Sequence, residues 1–183
     1  MRINIDIEKS IHTKRLKPIN LSWENYSSIG LYILLALMMI VVGLVMPTLF
    51  IIEMIKLDNL NGFPILLLFY VTGFLTIYGL IKDNQLRSFQ GKDILTNKRT
   101  MVSVIKDKFD TNLVYEGESL ISFYKRPTFW SFGTRLIVCF NNNEVLINIS
   151  KFNQYGLKSF FHQLFVDRTI NQIIKEFYSR VRN

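Results

Sequence analysis

Residues 29–52 read IGLYILLALMMIVVGLVMPTLFII, and residues 62–81 read GFPILLLFYVTGFLTIYGLI. Neither stretch contains an Asp, Glu, Lys, Arg or His. They are 24 and 20 residues long. At about 1.5 Å rise per residue, either can cross a hydrocarbon core of about 30 Å as a helix. A cleaved signal peptide has a shorter apolar stretch and a small-residue cleavage site. The first run instead ends in Thr48-Leu49-Phe50-Ile51-Ile52, so the sequence predicts a retained anchor. The pair reads as a two-helix transmembrane hairpin over 29–81. An N-terminal segment, 1–28, and a tail, 82–183, flank it.

Lys and Arg near helix ends set orientation. Lys9, Lys14, Arg15 and Lys17 precede the first run, and Lys82, Arg87, Lys92, Lys98 and Arg99 follow the second. The connecting segment, Glu53 to Asn61, sets one lysine against Glu53 and Asp58. Both termini are therefore expected in the cytoplasm, with a small loop outside, in a cytoplasmic (inner) membrane. Trp23, Tyr26 and Tyr78 fall where interfacial aromatics belong. Heavy use of Ile, Asn, Lys and Phe points to an AT-rich, bacterial source.

Uncharged spans exclude a polar pathway lined by this hairpin alone, because ion paths and proton relays need ionisable groups inside the membrane. Ala36 and Gly43 form one small-residue face, and Thr72, Gly73, Thr76 and Gly79 another. Such faces let helices approach closely in lipid. They either pack the two spans on each other or dock another membrane protein, including a second copy. Pro47 is expected to bend the first span just beyond Gly43.

The chain carries a net charge of +8. From Asp83 onward fifteen Lys/Arg stand against nine Asp/Glu, an excess of six. Beside a membrane, such an excess reads as attraction to anionic lipid, each cation contributing about 1 kcal/mol, rather than as a nucleic-acid site. The single cysteine, Cys139, excludes an intramolecular disulfide and any CxxC metal or redox motif.

In the N-terminal segment Ile3, Ile5 and Ile7 alternate with polar residues, which predicts a short strand. That strand is expected to join the tail's sheet, the competing readings being a disordered end or a strand donated to another subunit. Ser22 is a fair N-cap for the helix that leads into the first span.

In the tail, Lys82 to Lys92 is expected to prolong the second helix, and Asn97-Lys98 to turn. Strands are expected at Met101–Phe109, Leu113–Glu116, Ser119–Lys125, Thr134–Phe140 and Glu144–Ile149. Their order implies an antiparallel meander, with Asn141-Asn142-Asn143 as a hairpin turn. Leu157, Phe160, Phe161, Leu164 and Phe165 then recur at helical spacing. Ile170, Ile173, Ile174, Phe177 and Val181 form a second stripe out of phase with the first, and Asp167 lies between them as an N-cap. The expected fold is therefore a membrane α-helical hairpin plus an α+β cytoplasmic domain. Its antiparallel sheet has five to six strands, packed by a C-terminal helix or a broken helix pair.

Two spans, then strands, then a packing C-terminal helix: this layout resembles small bacterial two-transmembrane proteins with a cytoplasmic domain of the pleckstrin-homology type. That fold has seven strands where five or six are legible here. The resemblance implies binding or scaffolding.

The most pointed cluster is Lys125-Arg126-Pro127-Thr128-Phe129-Trp130-Ser131-Phe132, with Arg135 just beyond. Cations beside exposed aromatics can meet lipid phosphates and the membrane interface. The same residue types serve protein docking. The plainer reading turns the aromatics inward to cap the sheet. No catalytic constellation is legible. Cys139 lies in the apolar run Leu136–Phe140, His12 and His162 are far apart, and Glu116 and Glu118 flank a turn glycine. No GxSxG, Walker loop, GxGxxG or HExxH occurs. The chain is thus expected to be a non-catalytic accessory or scaffold subunit with no cofactor or metal, with lipid binding or sensing as the alternative. Its expected partners are membrane lipid and another membrane protein or a second copy.

Overall fold

A computed structural model describes residues 5–19, 23–56, 63–154, 158–159 and 161–182, the side chains of 23–26, 28, 29 and 63 excepted. Ile3, Ser22, Leu157 and Phe160 lie outside the described residues, as do the side chains of Trp23 and Tyr26. The chain forms two compact units. One comprises the N-terminal segment through Leu21, Asn84–Lys158 and the chain from Leu164 onward; the other comprises Ser22–Asp83 with Ser159–Gln163.

The second unit is a helical hairpin. Helix α2 (Trp23–Ile40) runs through a π-helical turn at Val41–Val45 into α3 (Met46–Lys56), and α4 (Phe63–Lys82) returns. Pro47 explains the π turn. It has no N–H, and its ring presses on the carbonyl four residues back, so the turn before it widens. The Met46 N–H then reaches the Val41 carbonyl. The helix continues past Ile52, placing Glu53 and Lys56 on its last turns and not in a loop. Over Gly30–Lys56 and Pro64–Lys82 both helices are long and apolar enough to cross a membrane.

The first unit is a single antiparallel sheet with helices on both faces. Its elements are α1 (Ile7–Thr13), β1 (Arg87–Gln90), α5 (Ile94–Phe109), β2 (Val114–Glu116), β3 (Leu120–Lys125), β4 (Gly133–Asn141), β5 (Glu144–Phe152) and α6 (Gln163–Arg182). The strand order is β1-β5-β4-β3-β2, so the last four form the expected meander and β1 closes the far edge. Asn142 takes a left-handed φ of 50° at the β4–β5 turn, as an asparagine can.

Three tail elements differ from the sequence expectation. The chain leaves the helix after Lys82, and Arg87–Gln90 is a strand because it finds an edge partner in β5, with Phe89 opposite Val145. Met101–Phe109 is not a strand but the second half of α5, and Asn97-Lys98 is not a turn but part of that helix. Asp93 caps this helix by accepting from the Thr96 N–H at 2.9 Å, and Asp110 ends it in the left-handed conformation. Met101, Val104, Ile105 and Phe109 follow i, i+3, i+4 and i+8, so burial on a helical face outweighs the strand preference of Val and Ile. At the C-terminus the described residues form one helix, Gln163–Arg182, without a break inside it. Asp167 sits inside α6 and not at a helix start, because the chain coils continuously from Gln163 while Val166, Ile170, Ile173 and Phe177 line one buried stripe.

Helices α5 and α6 cover one face of the sheet, where Leu136, Val138, Ile147 and Ile149 are almost fully buried. The N-terminal segment covers part of the other. Leu16 is buried there with Leu86, Ile137, Cys139 and Leu146, and Ile5, Ile7 and Ile11 pack against them. The expected strand around Ile5 is a correction. Asp6 accepts from the Lys9 N–H and starts a helix at Ile7, leaving Ile5 a single bridge to Pro18. Pairing with the tail is made instead by Lys14–Leu16. The Leu16 N–H donates to the Asn84 carbonyl and the Leu86 N–H to the Lys14 carbonyl, both at 2.8 Å.

Candidate functional site

The aromatic-basic segment joins β3 to β4. Its ends are held by backbone bonds between Thr128 and Ser131, at 2.9 and 3.3 Å, and by their hydroxyls at 2.7 Å. This clasp leaves Phe129 and Trp130 at the tip, 76% and 91% exposed. Their rings meet edge to face at 4.9 Å, and neither belongs to the hydrophobic clusters of the domain. Phe129 and Trp130 therefore do not turn inward to cap the sheet, and the base of the loop already has its aromatic cover. Tyr124 stacks on Phe152 at 5.3 Å, and Phe152 and Pro127 lie where a Cβ on Gly133 would stand, at 2.4 and 2.9 Å. No volume is left there for the tip rings.

Register decides which cations share this end of the sheet. Lys125 lies opposite Thr134, and Thr134 opposite Lys151, so the three form one row across β3, β4 and β5 on the α6 face. Lys151 Nζ donates to Thr134 Oγ1 at 2.6 Å, leaning toward Lys125. Partial burial, and then the charge of Lys125, hold the Lys151 ammonium below the usual lysine range. Lys125 and Arg126 are exposed. Among the described residues none of these three cations pairs with a carboxylate. Arg135 belongs to the opposite face, across from Ser150, so the fold separates it from Lys125. Phe132 is 40% exposed and lies between the tip and β4.

Compared with protein-family models, with curated proteins and with solved structures, the chain matches none.

Sequence reasoning missed Lys151, although a signal was present. Extending the alternation Val145, Ile147, Ile149 by two residues puts position 151 on the same face, and β5 runs to Phe152. The other chemical groups lie elsewhere. Cys139 is buried in the sheet and burial pushes its thiol up to about 11. His12 is exposed on the last turn of α1, and His162 Nδ1 lies 2.7 Å from Ser159 Oγ. Among the described residues no three His, Cys, Asp or Glu side chains converge as a metal site.

The small-residue faces meet each other. A Cβ at Gly43 would stand 2.7 Å from the Gly73 Cα, and one at Gly73 would stand 2.7 Å from the Leu44 side chain. Ala36 is 2% exposed, Thr76 is fully buried, and Gly79 is buried as well. The hydroxyls of Thr48, Tyr70, Thr72 and Thr76 find partners within the hairpin. Thr72 donates to the Leu68 carbonyl, Thr76 to the Thr72 carbonyl, and Thr48 to the Leu44 carbonyl, with Thr48 Oγ1 also 2.8 Å from Tyr70 Oη.

Proposed function

We propose that this chain is a two-span integral membrane protein, both termini cytoplasmic, that carries a non-catalytic α+β binding domain as an accessory or scaffold subunit. The observation that carries the anchor is where the apolar side chains point. A core helix of a soluble protein hides its leucines, yet Leu34, Leu68 and Phe74 are 55%, 68% and 63% exposed. Only 17% of either helix's most apolar stretch is buried. Water would make that surface unfavourable by roughly 25 cal/mol per Å², and a bilayer removes the cost. The basic flanks support the orientation.

The domain's part rests on its exposed hairpin end. Two large rings held in solvent beside three uncompensated cations are a contact surface and not a core feature. With Gly43 and Gly73 used against each other, contact with a partner membrane protein or a second copy would run through the outer faces of the spans. A second reading, binding of anionic lipid by the domain, is favoured by the Phe129–Trp130 tip. Gentle detergent extraction followed by native mass tests the accessory role. The expected result is a species heavier than the monomer, and a strict monomer with no co-purifying protein would contradict it. Release from membranes by alkaline carbonate would separately contradict the anchor.

A further inference from the structure

We propose that the row Lys125–Thr134–Lys151, with Arg126 beside it, is a phosphate-binding site for the headgroups of anionic lipid, and that Phe129 and Trp130 are the wedge that enters the interface next to it. This rests on the anchored binding-module reading and names the ligand of that module's contact surface.

The row is built for an anion. Neighbouring strands are about 4.8 Å apart, so the Cα atoms of Lys125 and Lys151 lie about 10 Å apart, a span two lysine side chains can close onto one phosphate. Thr134 lies between them at 1% exposure, and its Oγ1 accepts from Lys151 Nζ at 2.6 Å, which holds that ammonium over the middle of the row. Like charges facing each other across one hydroxyl, with no carboxylate paired to them among the described residues, raise the energy of the empty site. A phosphate oxygen between them would relieve it through charge-assisted hydrogen bonds. Arg126, exposed at the strand's end, adds a third cation on the loop side.

The tip identifies the source of the phosphate. A soluble phosphate needs no aromatic neighbour. A membrane interface favours Trp and Phe at headgroup depth and Lys and Arg around them. The Thr128–Ser131 clasp and the packing of Pro127 and Phe152 at Gly133 hold the rings outward before any ligand arrives. Docking therefore orders little that is not already ordered. Near an anionic surface each cation strengthens association about fivefold, so losing Lys125 and Lys151 weakens it about 25-fold.

The test uses the full chain in lipid nanodiscs, with Trp23→Phe leaving Trp130 as the sole tryptophan. In discs containing phosphatidylglycerol, Trp130 emission should shift to the blue and be quenched by brominated acyl chains. In pure phosphatidylcholine discs, with or without added inorganic phosphate, it should stay solvent-exposed and quenchable by acrylamide. Lys125→Gln with Lys151→Gln should abolish most of the bromine quenching, and the exposed Arg126→Gln should weaken the association about fivefold and lower the quenching less than the double variant does. Solvent-exposed Trp130 in both lipids would overturn the proposal. So would equal shielding in both, which would leave the cations without a role. Trp130 shielded only by a co-purified protein would assign the surface to a protein partner instead. Failure to enter nanodiscs at all would overturn the anchor itself and is read separately, from sedimentation of the discs.

Discussion

Replacing Gly43 by alanine puts a methyl group where the two long helices touch. Its carbon would stand 2.7 Å from the Gly73 Cα and backbone N and 2.9 Å from the Phe69 carbonyl oxygen. All three are backbone atoms, so no rotamer change makes room. Restoring an ordinary contact of 3.4–4 Å requires the helices to part by about 1 Å, and a gap of that size forfeits about a quarter to a half of each dispersion contact it opens. Overpacking of this kind costs about 1–3 kcal/mol. Alanine also gains about 0.5–1 kcal/mol of helix propensity over glycine, and Gly30→Ala measures that gain alone, since nothing lies within 4 Å of its added carbon. Unfolding the full chain in mixed micelles by SDS titration, followed by circular dichroism, should place Gly43→Ala about 1–3 kcal/mol below Gly30→Ala. Equal stabilities would refute the close contact at Gly43 and, with it, the assignment of the small-residue faces to the hairpin's own packing.

Asn97→Leu should cost about 1–3 kcal/mol in thermal melts of the full chain, because the buried amide accepts from the Lys92 N–H at 2.8 Å and returns a bond to the Lys92 carbonyl at 3.3 Å. Asp93→Ala should lower the melting temperature near neutral pH by removing the cap of α5. Thr96 N–H donation holds the Asp93 carboxyl below its ordinary range, so its contribution is present above that range and is lost as pH falls from it through the lowered folded value. The gap between wild type and variant should accordingly close in acid. Cys139, buried and with its thiol pushed up to about 11, should resist maleimide at neutral pH in the folded chain and react fully in denaturant; fast labelling of native protein would count against its place in the sheet.

The two long apolar helices, β3, β4, β5 and the Asn142 turn were legible because each is decided locally, by an uncharged run, an alternation or a turn residue. What went unread depends on partners distant in sequence. Arg87–Gln90 is a strand only because β5 offers an open edge 54 to 60 residues on. Met101–Phe109 carries β-branched residues, and only the buried face it shares with α6 settles it as helix. Ile5 and Ile7 alternate like a strand, but Asp6 caps a helix between them. Asp167 is a good capping residue with no helix start to cap, since α6 already began at Gln163. At the site, the cations at 125 and 126 and the rings at 129 and 130 were visible as residue types. Their exposure was not, because it follows from Phe152 occupying the base of the loop. Lys151 joined them through a register that no single strand reveals.

The most direct test of the account is the topology of the intact chain in cells, read with an impermeant maleimide over the silent background of Cys139. Asn59→Cys should label from outside, and Asn183→Cys only after the membrane is permeabilised. Labelling of both positions from outside, or of neither until permeabilisation, would contradict a two-span anchor with its domain and both termini in the cytoplasm.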